Sequence, residues 1–123
     1  DQTLRFAPER VEQWPTLIHA LEVNRRLFAA GENGFLAEWT NGTWKPLAAG
    51  TAEAFVRLAS DGTRLVAVGN RGTLVTWSVA QPQAPTIQRW SETRFTGLAF
   101  GHGRFVALGD FDGALVNMIQ RQL

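Results

Sequence analysis

The sequence predicts an all-β chain built from three consecutive four-stranded antiparallel units, and three observations carry that reading. The segments Leu27-Phe28-Ala29-Ala30-Gly31, Leu65-Val66-Ala67-Val68-Gly69 and Phe105-Val106-Ala107-Leu108-Gly109 align, with their glycines 38 and 40 residues apart. Fourteen residues before each glycine an apolar stretch opens, at Leu17, Phe55 and Phe95. A short turn with a second glycine follows each marker, at Gly34, Gly72 and Gly113, one residue longer in the third copy. Three markers at one period define a repeated supersecondary unit. Apart from a helical turn that Thr51–Phe55 could form, nothing sustains the 3.6-residue period of a helix.

Each copy divides into the same strands. The first strand is Leu17–Leu21, Phe55–Ala59 or Phe95–Ala99. A turn of Gly, Asp or Asn type follows, at Val23-Asn24-Arg25, Ser60-Asp61-Gly62 and Gly101-His102-Gly103. The marker run itself is the second strand. A tight turn leads to the third, at Phe35–Trp39, Thr73–Trp77 and Ala114–Met118. Short apolar runs joined by Gly-containing connections are hairpin signals. The fourth strand ends on tryptophan, at Thr43-Trp44 and Ile87–Trp90. Its third counterpart, Val11–Trp14, stands ahead of the first copy, after an extension over residues 1–10.

Four-stranded meanders repeated in this way are the unit of a β-propeller, here over about residues 17–47, 55–90 and 95–119. Three blades make a half ring, since propellers close with about four to eight. The third blade lacks an outer strand of its own, and an unpaired apolar edge is normally avoided. Two arrangements answer this. A homodimer could let each Val11–Trp14 strand complete the partner's last blade, giving six blades. Alternatively, these blades are the remainder of a longer propeller. Both stay open at this point.

Composition bounds the function. With 45% hydrophobic and 19% charged residues in 123, the chain is an ordinary single globular domain. A net charge of +1 offers no electrostatic case for nucleic acid or an anionic membrane, and no apolar run is long enough for a spanning helix. No cysteine is present, which removes disulfides, thiolate metal sites and cysteine nucleophiles. The start at Asp1, with neither Met nor a signal-like segment, fits a mature periplasmic or secreted protein and equally a piece of a longer chain.

The runs Leu65-Val66-Ala67-Val68-Gly69-Asn70-Arg71-Gly72-Thr73-Leu74 and Phe105–Gly109 resemble the repeat of the photosystem II stability/assembly factor-like propellers. Thr40-Asn41-Gly42-Thr43-Trp44 resembles a degenerate Asp-box of the bacterial neuraminidase (BNR, sialidase-type) repeat, with Asn41 where Asp is usual. The resemblance covers about residues 11–119. It implies blade packing and a folding role for the box, and it leaves function open, because propellers host many activities. A sialidase would need a tyrosine nucleophile, and the chain has no Tyr.

The remaining candidates read mostly as structure. Asp110 and Asp112 flank Phe111 in the widened third turn; two carboxylates could hold Ca²⁺ or share a proton, but Asp and Gly are also ordinary turn residues. His19 sits on a strand as a hydrogen-bonded structural histidine, and His102 between two glycines reads as a turn residue. Arg26, Arg64 and Arg104 share one repeat position and would circle the opposite face, as blade geometry alone would produce. Asn41-Gly42-Thr43 is a glycosylation sequon and a natural β-turn, and it is read as the turn.

In propellers the second-to-third-strand turns and the inter-blade links share a face. Here that face would carry Glu32, Asn33, Asn70, Arg71, Asp110, Phe111 and Asp112, with Glu53, Glu92 and Arg94 nearby. The expectation is therefore a non-enzymatic interaction module without cofactor or metal, binding a protein or peptide there. A carbohydrate-binding propeller, with tryptophans stacking on sugars, is the alternative. A fragment of a larger propeller enzyme is a third reading.

Overall fold

The computed structural model describes residues 16–82, 84–90, 93–111 and 114–120, with side chains described as far as Asp110. Within them the chain runs through three antiparallel sheets in succession, with no α-helix among the described residues. Sheet one contains β1 (Leu17–Val23), β2 (Arg26–Gly31), β3 (Leu36–Thr40) and β4 (Thr43–Pro46), paired in chain order. Sheet two repeats the pattern with β5 (Phe55–Ser60), β6 (Arg64–Gly69), β7 (Thr73–Ser78) and β8 (Thr86–Arg89). Sheet three has three described strands, β9 (Thr93–Gly101), β10 (Arg104–Phe111) and β11 (Ala114–Gln120). The proposed outer strand Val11–Trp14 lies outside the described residues.

Two local expectations are corrected. Thr51–Phe55 forms no helical turn: it is an extended link with a bend at Glu53, because Glu53 is drawn into hydrogen bonds with the next sheet. The turn after β2 is a short 3-10 turn at Glu32–Gly34, so the third strand starts at Leu36 instead of Phe35. Asn33 sits at φ 58 and Gly34 at φ 71. Such backbone suits Asn and Gly best.

The hairpin turns follow their chemistry. Asn24-Arg25, Asn41-Gly42 and His102-Gly103 each have positive φ at both central residues, the primed turn whose twist matches two antiparallel strands. The turn at Asp61 is longer. Its carboxylate accepts from the Thr63 and Arg64 backbone N–H groups at 2.9 and 2.8 Å.

The marker glycines owe their identity to a repeated β-bulge. Each marker glycine pairs with the apolar residue fourteen positions before it, Leu17 with Gly31, Phe55 with Gly69 and Phe95 with Gly109; the first two pairs open their strands, while β9 opens two residues earlier at Thr93 opposite Phe111. Register then slips by one residue, leaving Ile18, Val56 and Thr96 as the extra residues. At the bulge another group presses on the glycine Cα. It is the Thr16 carbonyl at Gly31, the Glu53 carboxylate at Gly69 and the Arg94 carbonyl at Gly109. A Cβ at any of the three would collide.

Packing occurs between sheets. One core cluster joins Val23, Phe28, Ala30 and Leu36 of sheet one to Phe55, Leu58, Leu65, Ala67, Val75 and Trp77 of sheet two. A second joins Ala59, Val66, Val68 and Leu74 of sheet two to Phe95, Phe105 and Ala107 of sheet three. Alternate residues of β6 therefore serve opposite neighbours, and the whole run from Leu65 to Gly69 is buried. Each side chain of Leu or Val size contributes about 1.5–3 kcal/mol when removed from water.

Polar contacts align the sheets. His19 Nδ1 accepts the Leu58 backbone N–H at 2.7 Å, crossing from sheet one to sheet two. Trp77 Nε1 donates to the Ala48 carbonyl in the link at 3.0 Å. Arg26 grips Glu38 with two hydrogen bonds of 2.7 and 2.8 Å, donates to the Val79 carbonyl and covers the Phe28 ring. Arg64 pairs with Asp61 and lies over Phe105 of sheet three.

Two predictions follow from this packing. Gly31→Ala should lower stability by about 1–3 kcal/mol, since backbone cannot yield as a flexible side chain would. Gly101→Ala, where a Cβ meets open space, should change little. Thermal melts of the two variants, compared with the parent, check this. The second concerns pH. Burial, helped by Arg57, holds the His19 imidazole below its ordinary value, so the unfolded chain takes up that proton first. Stability should be full above pH of about 6.5 and fall as pH drops toward the lowered folded value. Glu38 is held low by its hydrogen bonds to Arg26. At Asp61 burial pushes upward, but hydrogen bonds from Arg64 and Thr63 prevail and it too lies low. Both contributions should vanish as pH falls through those depressed carboxylate values. In urea titrations from pH 8 to pH 3, His19→Asn, which retains an acceptor, should abolish the first step and keep the second.

Candidate functional site

The links between sheets cross beside the second-to-third-strand turns, and this crossing builds a crevice. The Asn70 N–H donates to the Ala54 carbonyl at 3.0 Å, and the Trp90 N–H donates to the Gly72 carbonyl at 2.8 Å. Gly34 and Gly72 sit against the carbonyls of Thr51 and Trp90, an approach that only a residue without Cβ allows. The crevice has a volume of about 710 Å³ and is lined by Glu32 and Asn33 of the first turn, Thr51 to Ala54 of the link, Asn70 and Arg71 of the second turn, and Arg89.

Glu53 is the brace of this crevice. Its carboxylate accepts from the Arg71 N–H at 2.8 Å, the Thr73 N–H at 3.2 Å and the Thr73 hydroxyl. Thr73 is fully buried, so that hydroxyl has exchanged water for Glu53. With three donors on two oxygens, Glu53 is committed to holding the link on the turn. Around it stand polar groups without an intramolecular partner among the described residues. The Arg71 and Arg89 guanidinium groups and the Glu32 carboxylate are exposed and form no hydrogen bond or ion pair among the described residues. The exposed amides of Asn33 and Asn70 add donors and acceptors.

The residues expected on this face therefore separate. Glu32, Asn33, Asn70 and Arg71, together with Glu53, line one crevice. Asp110 is exposed on sheet three, where its register partner is Arg94, and it does not line that crevice. Phe111's side chain, Asp112 and Glu92 lie outside the described residues. Arg89 was not anticipated. Its signal was available in the pairing of Thr73 with Arg89, which carries the end of β8 to the turn.

The other candidates resolve as structure. His19 is a cross-sheet acceptor, and His102 is an exposed turn residue at φ 52. Arg26 and Arg64 are engaged with Glu38 and Asp61, leaving Arg104 as the exposed member of the trio. Asn41 is a turn residue. Of the four described tryptophans none is exposed: Trp77 is buried, while Trp39, Trp44 and Trp90 are half-buried. Trp39 meets Trp44 edge to face with ring centres 5.1 Å apart, and Trp90 meets Phe95 likewise at 5.9 Å. Among the described residues no three His, Cys, Asp or Glu side chains gather as a metal site, and no helix is long and apolar enough to cross a membrane.

If Glu53 braces the crevice, Glu53→Ala strands two backbone N–H groups and the buried Thr73 hydroxyl. The loss should be about 1–3 kcal/mol for each buried donor. Amide hydrogen exchange should quicken first at Arg71 and Thr73, ahead of the β6 core, and Glu53→Gln should restore part of the protection.

No protein-family model matches the chain. No curated protein matches it either. Two solved structures share its fold. The computationally designed Ika8 protein aligns at 19% identity and a TM-score of 0.65, over 82% of this chain and 32% of that one. A glutaminyl cyclase from Myxococcus xanthus aligns at 22% identity and a TM-score of 0.61, over 83% of this chain and 48% of that one. The chain thus spans about a third and about half of these two neighbours, and at such identities the likeness is one of all-β fold.

Proposed function

We propose that the three sheets are consecutive blades of a β-propeller, and that the chain is a non-enzymatic interaction module. It binds an acidic peptide, or an acidic segment of a protein, in the crevice between the first two second-to-third-strand turns. The blade reading is supported by the sequential four-stranded meanders, their face-to-face packing and the likeness to the two solved structures.

The observation that carries the binding reading is a pair of unengaged guanidinium groups, Arg71 and Arg89, on a rigid polar crevice. Arg26 and Arg64 are tied to carboxylates, and Arg71 and Arg89 differ from the exposed arginines Arg25, Arg94 and Arg104 in lining this crevice together. An Arg fork matches a carboxylate with two parallel hydrogen bonds, which gives both strength and orientation. Glu32 and the two Asn amides then supply acceptors for the ligand's backbone or a basic neighbour. A non-enzymatic role agrees with Glu53, whose carboxylate is engaged by three donors of its own chain. None of the described tryptophans stands open as a sugar platform, so the peptide reading is preferred to the carbohydrate one.

Panning a random heptapeptide library on the protein should enrich Asp and Glu. Replacing Arg71 and Arg89 with Ala should weaken the selected peptides tenfold or more, about 1.4 kcal/mol. Selected peptides without acidic residues, or equal binding to the double variant, would sink this reading.

A further inference from the structure

The crevice holds more than its two guanidinium groups. Four charged side chains line it among the described residues, Arg71 and Arg89 against Glu32 and Glu53, so its formal charge is zero. Neither carboxylate is cancelled within the described chain. Glu53 takes its hydrogen bonds from two backbone N–H groups and a hydroxyl. None of these donors is a cation, so the negative charge stays in the crevice. Glu32 is exposed and has no ion pair among the described residues.

The two signs are also separated in space. Thr73 lies opposite Arg89 in register, and directly opposed residues share one face of a sheet. That face carries Val75 and Trp77 into the core with sheet one, and Ile87 against Gly50 of the link. Arg89 therefore rises on the side of sheet two that looks toward sheet one. Arg71 stands two residues before Thr73, in the turn of the same sheet. Glu32 belongs to the neighbouring turn of sheet one, and Glu53 to the link between the sheets. The crevice thus has a positive side on sheet two and a negative side on sheet one and the link. Packed sheets stand about 10 Å apart, a distance that about three residues of extended chain cover.

We infer that the peptide segment bound in this crevice is dipolar. An acidic side chain meets Arg71 and Arg89, and a basic side chain about three residues away meets Glu32. The inference rests on the acidic-ligand reading of the crevice and narrows it. A segment that is acidic alone is drawn by two arginines and opposed by two carboxylates that it cannot match. A segment with both signs is favoured at each side, and like charges set against each other reject the alternatives. Glu32 is then the residue that decides specificity, while Glu53, held by donors of its own chain, fixes the floor.

The test titrates isotope-labelled protein with end-capped peptides and follows the amide resonances of Asn70 and Arg71. The probes are Gly-Asp-Gly-Gly-Lys-Gly, the same peptide with Gln in place of Lys, and both in reversed order. In one of the two orders the Lys peptide should bind about threefold tighter than its Gln counterpart, the size of an exposed ion pair. Glu32→Gln should then weaken the Lys peptide and tighten the Gln peptide. A merely structural role for Glu32 would move both the same way. The inference is overturned if Lys and Gln peptides bind alike in both orders, or if Glu32→Gln shifts the two in the same direction. The acidic-ligand reading fails separately, when the double variant Arg71→Ala, Arg89→Ala binds every peptide as the parent does. Absence of binding by all four peptides overturns both.

Discussion

The fold depends on one constraint: sheet two must bury both of its faces at once. A strand such as β6 has only two directions for its side chains, and here both are apolar. Leu65 and Ala67 serve sheet one, and Val66 and Val68 serve sheet three. Neither neighbour can be removed without exposing half of a continuous apolar run. Small residues on the strand, Ala67 and Gly69, let the sheets approach, while Trp77 and Phe55, edge to face at 6.4 Å, fill the wider part of the layer.

Close stacking then dictates the connections. A link leaving β4 at Pro46 must reach β5 at Phe55 while passing the turn that joins β2 to β3. The passage is tight enough that the link's backbone, or a side chain rooted in it, rests on glycine. Thr51 lies on Gly34, Trp90 on Gly72 and the Glu53 carboxylate on Gly69. The turn glycines Gly34 and Gly72 are therefore the record of links crossing turns, as the marker glycines are the record of the bulge. The crevice is a by-product of the same crossing, since its floor is the link and its walls are the two turns.

This explains what could be read from the sequence and what could not. Strand positions were legible because the repeat superimposes three independent copies, and turns such as Asn41-Gly42 carry their backbone geometry in their residue types. The bulges were not legible. A bulge is a mismatch between two strands, and one strand's sequence does not state where its partner slips. The Thr51–Phe55 helical turn failed for a related reason: local pattern permitted it, but Glu53's bonds to Arg71 and Thr73 act across about twenty residues of sequence and override it. Four of the seven candidate site residues fall in one crevice because they belong to adjacent turns. Asp110 is a paired residue of β10 on the next sheet, where the sequence had placed it in the turn, and Arg89 entered through strand pairing instead of through turn position.

Repeat equivalence by itself is a poor guide to function here, and the arginines show why. Arg26 and Arg64 stand at the same repeat position and are both consumed by packing, through different acids. Arg26 reaches across its own sheet to Glu38, while Arg64 reaches back into its own turn at Asp61. Each also covers an aromatic ring, Phe28 in one case and Phe105 in the other, so the guanidinium doubles as apolar cover at the edge of a layer. At these two positions the arginine closes the end of a layer as a flat, charged lid, while Arg104 at the third is exposed. Arg71 and Arg89 have no counterpart arginine in sheet one, where Asn33 follows Glu32 and Pro46 ends the fourth strand. Positions that break the repeat, on a frame the repeat holds rigid, are free of the packing demand that explains the others. On that ground the proposed ligand surface is the crevice that Arg71 and Arg89 share, and not the repeat position at which Arg26 and Arg64 are consumed.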